Sequence, residues 1–269
     1  MGEGLQTKSD VVETNDLLHY GVKGMKWGVR NDRPSGVARE GPNYRLFKDG
    51  SIQLDKGALV QRIVRKHSGL MGGSGSDLGV SGGMYASFLP SDKHLYEHGF
   101  GRAKGLLVKE ASQVLSFTVK TPMKSPGIVE ARELYFEMLR NDPEAYGKVK
   151  SNIRGMNVDK VMGGKNEAAK NELYATAYDA ANYNPKLSEV NQKYTDTLKK
   201  HGYNLLMDPA DSLFGEFDAP VVILDPGKNV ELSSRRIVDK ESQKRVSKQV
   251  REDIRTSKGK TFLSELGLK

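Results

Sequence analysis

The chain has 269 residues, 37% hydrophobic and 28% charged, with a mean hydropathy of −0.57. This suits one folded domain with solvated or extended segments beside it, not a chain buried throughout. It contains no cysteine, which excludes disulfides, thiolate zinc sites and cysteine nucleophiles.

No run of about 18 apolar residues occurs, as a membrane-spanning helix would need. The polar start MGEGLQTKSDVVETND lacks the apolar stretch of a signal peptide, so we expect a soluble protein not secreted by that route. The formal charge of +8 and the pI near 9.4 fit either contact with a polyanion or a solvated basic surface. Charge alone favours the second.

In chain order, residues 1 to 43 read as an extended arm, because LLHYGVKGMKWGVR and NDRPSGVAREGPN hold glycine and proline too often for a regular element. A folded body is expected from 44 to 233. It opens with YRLFKDGSIQL, two apolar runs around an Asp49-Gly50 turn, which is a hairpin pattern. Strands are expected from Ala58 to Val64, from Met84 to Leu89 and from Gln113 to Lys120, with a glycine-rich loop from Ser68 to Gly83. Pro122 and Pro126 close the third strand.

Helices are expected over Ile128 to Arg140, Asn166 to Asn182 and Pro185 to His201. In the last, Asn184 is a candidate cap, Leu187, Val190, Tyr194 and Leu198 share a face, and Gly202 suits the stop. In DAPVVILDP, Ala219 to Leu224 is wholly apolar between two prolines and belongs at the centre of a sheet. From 234 to 269 the chain reads as a charged helical tail with a thin stripe of Val246, Val250 and Ile254.

Two short patterns carry little chemistry. His94 to His98 reads HLYEH, a zincin-like spacing, but Pro90 and Gly99 leave under three helical turns and no third ligand is evident, so a solvated helix is expected and no metal. GGKN, at Gly163 to Asn166, lacks the hydroxyl that would hold magnesium.

The arm segment HYGVKGMKWGVR places the lone tryptophan, Trp27, beside Tyr20 and Met25, with Lys23, Lys26 and Arg30 interleaved. Such anchors suit a linear peptide entering a partner's groove, although Trp27 could equally pack on its own domain. The segment resembles a peptide that recurs in head-module proteins of tailed phages and prophages, attached to otherwise different domains. The resemblance implies a virion-associated minor head or capsid protein, located in the phage head and in the host cytoplasm during assembly. Its implied partners are capsid or other head proteins, with packaged DNA a further contact through the basic surface.

The body, from LVQRIVRKH through GMYASF and QVLSFTV to GYNLLMDPADSLFGEFDAPVVILDP, resembles ADP-ribosyltransferase-like domains of phage and polyvalent proteins. That implies an α+β fold with a central, mostly antiparallel sheet and helices inserted between strands. Carried over, Arg62 would bind the phosphates or ribose of NAD, Tyr85 and Ser87 would lie beneath the nicotinamide, and Glu216 would be the catalytic acid. The strand reads Tyr85-Ala86-Ser87-Phe88 where many such enzymes have Ser-Thr-Ser, and no Glu-x-Glu surrounds Glu216. The expectation is therefore a structural or interaction protein without a cofactor, with an NAD-dependent effector acting on a host target as the alternative.

Overall fold

The computed structural model describes residues 36–65, 83–88, 112–209 and 221–238, together with 241, 244 and 248. The chain divides into two units at Pro34/Ser35, and every described residue belongs to the second.

The body is α+β, and every strand pairing in it is antiparallel. It starts earlier than the sequence suggests. Strand β1 (Val37–Gly41) pairs with β2 (Tyr44–Phe47), so residues read as arm already lie in a sheet. Pro42-Asn43 joins them, with Asn43 at φ 63°, and proline then asparagine is the sequence a type II turn takes. The expected hairpin follows, β2 pairing with β3 (Ile52–Leu54). At its turn Gly50 has φ 83°, and a Cβ there would lie 2.7 Å from the Ile128 side chain. Both conformation and packing therefore require glycine.

The remaining strands are β4 (Leu59–Arg65), β5 (Met84–Ala86), β6 (Ser112–Val119), β7 (Met123–Lys124), β8 (Leu205–Met207), β9 (Val221–Ile223) and β10 (Val230–Val238). A single central sheet was expected, but the strands form three short ones, ordered β1-β2-β3-β7, β10-β6-β4 and β5-β9-β8. A bridge between Gln61 and Ser87, with N–H to O distances of 2.8 and 2.7 Å, ties β4 to β5. The Lys124 backbone N–H donates to Asn204 Oδ1 at 2.9 Å and ties β7 to the approach to β8. The tail also differs: Ser234–Val238, read as helix, continues β10 against β6 after a bulge between Leu232 and Ser234. Beyond it Glu241, Lys244 and Lys248 are helical, while Val246, Val250 and Ile254 lie outside the described residues.

Helices α1 (Ile128–Asn141), α4 (Glu167–Tyr183) and α5 (Ser188–Lys200) correspond to the three expected. Two more were not anticipated, α2 (Pro143–Asn152) and α3 (Val158–Gly163). Asp142 caps α2 by accepting from the N–H groups of Glu144 and Ala145, with Pro143 in the first turn. Asn184 caps a turn by accepting from Lys186 N, rather than capping α5, which begins at Ser188. Gly202, at φ 79°, ends α5: its N–H reaches Lys199 O and that of Tyr203 reaches Leu198 O, the paired bonds of a Schellman stop. A short turn, α6 (Pro226–Asn229), precedes β10.

Two apolar cores result, and the β5-β9-β8 sheet separates them. Leu205, Met207, Val221 and Ile223 join the core lined by strands of all three sheets. Leu206, Val222 and Leu224 face the opposite way, into the core of α1 to α5. Alternation along each strand dictates this split, and burial on both faces accounts for the wholly apolar run from Val221 to Leu224. Leu206 is 2% exposed and Val129 58%. Leu206→Ala is expected to destabilise the protein by about 2–5 kcal/mol and Val129→Ala by less than about 0.5, measured by urea unfolding.

Candidate functional site

Of the residues singled out by the resemblance, Arg62, Tyr85 and Ser87 are described. Arg62 lies on β4 opposite Leu115 and two positions from Val60, so it shares their face, that of the strand-lined core, and is 6% exposed. Tyr85 pairs with Val222 and packs against the helical core. Ser87, two positions on, shares that face, and its bridge partner Gln61 projects away from Arg62. Tyr85 and Ser87 therefore share one side of the sheet, and Arg62 takes the other. Glu216 and His94 to His98 lie outside the described residues, as do Tyr20, Lys23, Met25, Lys26, Trp27 and Arg30. Among the described residues no cluster of His, Asp and Glu is placed to hold a metal ion.

The helical layer holds polar groups that sequence reasoning passed over. Arg132, 2% exposed on α1, donates from Nη1 to Asn171 Oδ1 (2.7 Å), from Nη2 to Glu167 Oε2 (2.5 Å) and from Nε and Nη2 to Glu133 Oε1. A buried guanidinium needs such charge-assisted bonds, and here they join α1 to α4. Its only sequence signal is a cation on the apolar face of a helix. Four tyrosines cluster beside it: the ring of Tyr135 lies 5.0 Å from Tyr194 and 5.4 Å from Tyr174, and that of Tyr178 lies 6.2 Å from Tyr194. The Tyr174 and Tyr194 hydroxyls share a 2.6 Å bond, and Tyr194 donates to Ala131 O at 2.9 Å. The Tyr135 hydroxyl is buried with no hydrogen-bond partner.

At the other end of α1, Leu139, Arg140, Pro143, Tyr146, Asp159, Met162 and Gly163 line a surface cavity of about 380 Å³. Its floor is apolar, and Asp159 accepts from the Tyr146 hydroxyl and from Lys150 Nζ at 2.7 Å. With its carboxylate so engaged, the cavity offers shape and one exposed guanidinium rather than an acid–base pair.

The model of a family of unknown function, DUF7211, matches residues 9–34. No match is found among curated proteins or among solved structures. The matched segment ends at Pro34, where the chain divides, and contains Tyr20 to Arg30.

The tyrosines make stability depend on alkali. Burial pushes the Tyr135, Tyr174 and Tyr194 hydroxyls up, with Tyr194 adding to the rise at Tyr174 and the Tyr174 hydrogen bond opposing it at Tyr194. Each stays protonated in the folded state at pH values where the unfolded chain, near 10, has lost its proton. Their contribution is thus complete below about pH 10 and declines as pH rises further. Tyr194→Phe is expected to cost about 1–3 kcal/mol by stranding its partners, while Tyr135→Phe is neutral or stabilising. Denaturation midpoints at pH 7 and pH 11 measure both effects.

Proposed function

We propose that the chain is a virion-associated structural or interaction protein of a tailed bacteriophage, a minor head component held through its N-terminal arm. The folded body then serves as plug, spacer or cargo. One observation carries the reading: the family match ends at the point where the chain divides, so the peptide with Trp27 is a module separable from the body that follows. A portable anchor on an unrelated body is what the head-peptide resemblance implies.

The physical case for anchoring rests on composition. A polar, glycine-rich segment has little apolar surface of its own with which to cover a lone indole, and burying that ring in a partner's groove makes a hot spot of about 2 kcal/mol or more. Lys23, Lys26 and Arg30 add orientation and association rate. Among the described residues no helix is long and apolar enough to cross a membrane. Among the described residues, Arg62 and Ser87, which the transferase resemblance would bring to one cleft, occupy opposite faces.

The test is protein composition of purified particles. Trp27→Ala is expected to lower copy number per particle several-fold more than Lys23→Ala, and removal of residues 1–34 to abolish incorporation. Normal incorporation of the truncated chain would place the binding surface on the body and end this reading.

A further inference from the structure

The positive charge of this chain is unevenly placed. From 128 to 204, 12 Lys and Arg face 11 Asp and Glu. Seven of those 12 cations form ion pairs, among them Arg132 on Glu167, Lys148 on Glu144 and Glu189, Lys150 on Asp159, Lys193 on Asp142, and Lys199 on Asp225. From 226 to 269, by contrast, 12 Lys and Arg face 6 Asp and Glu, a net of +6 within 44 residues.

The described part of that stretch presents its charge to solvent. Strand β10 is the outer strand of β10-β6-β4, and Ser233, Ser234, Arg235, Arg236 and Ile237 are exposed in succession, so both faces of the strand are open there. Lys228 precedes it, and Lys244 and Lys248 follow, one helical turn apart and both exposed. Lys228, Arg235, Lys244 and Lys248 form no ion pair with any described residue.

We infer that this strand-and-helix run is a sequence-independent binding surface for the phosphate backbone of duplex DNA. Exposed cations with no ion pair to a described residue are what backbone neutralisation requires, since each phosphate contact releases condensed counterions and needs no base-reading group. An anionic bilayer would call in addition for an apolar or aromatic stripe to enter the interface. Among the exposed described residues of this stretch only Ile237 is a large apolar side chain. The inference stands on charge placement alone and survives if the arm proves not to anchor the chain.

The experiment uses the full chain and a fluorescein-labelled 30-base-pair duplex of random sequence, read by anisotropy from 50 to 300 mM NaCl. Binding is expected to weaken with salt, with a log–log slope of about −0.9 per phosphate neutralised, or about −4 for four cations. Lys228→Glu, Arg235→Glu, Lys244→Glu and Lys248→Glu combined should lower affinity about tenfold or more and flatten the slope. A control with the same change in net charge, at the exposed Lys160, Lys165, Lys186 and Lys200, should retain most of it, and circular dichroism confirms that both variants fold. Equal loss in the two variants would overturn the proposal in favour of net charge. Binding to phosphatidylserine vesicles without binding to the duplex would overturn it in favour of a membrane surface.

Discussion

Strand β9 has no solvent-facing side, and that constraint organises the body. Val221 and Ile223 project into the strand-lined core while Val222 and Leu224 project into the helical core. A strand buried on both faces must also satisfy both rows of its backbone groups, so it needs a partner on each edge, and β5 and β8 supply them. The helices can then occupy only one face and the remaining strands only the other. Where β9 ends, Asp225 accepts from Lys199 Nζ at 2.7 Å, joining the strand's exit to the last turn of α5.

Within the helical core specificity comes from a few buried polar groups. Apolar contacts hold helices together but tolerate small rotations and slips, whereas Arg132 meets Asn171 and Glu167 at one register of α1 against α4. Likewise the Tyr174–Tyr194 hydroxyl pair, ending on Ala131 O, fixes α4 and α5 relative to α1. At the surface of this layer further ion pairs join neighbouring helices, Lys148 to Glu189 and Lys193 to Asp142. Arg235, on the outer strand β10, is exposed and forms no ion pair with any described residue.

How much of this was legible in the sequence depended on whether the signal was local. The Asp49-Gly50 hairpin, the apolar run of β9 and the buried face of α5 were readable because turn chemistry and side-chain period act within a few residues. Helix α2 was also legible in principle, since Asp142-Pro143-Glu144 is a helix start; β1 likewise had Pro42-Asn43 as its turn. Ser234–Val238 misled because a run of charge suits a solvated helix and a solvated edge strand equally, and only pairing with β6 decides. The division into three sheets and the opposite faces of Arg62 and Ser87 depend on the Gln61–Ser87 bridge, a contact between strands separated by 18 residues, which no local pattern announces. Tyr20 to Arg30 lie outside the described residues, so the anchor reading rests on residue types alone.

If β9 couples the two cores, neither can open without the other. Native-state hydrogen exchange reads this amide by amide. The account predicts that Val221 to Ile223 and the slowest amides of α1 and α5 exchange with one common free energy, equal to that of global unfolding measured by denaturant. Exchange of the α1 and α5 amides at a distinctly lower free energy, with β9 still protected, would show the helical layer opening by itself and contradict it.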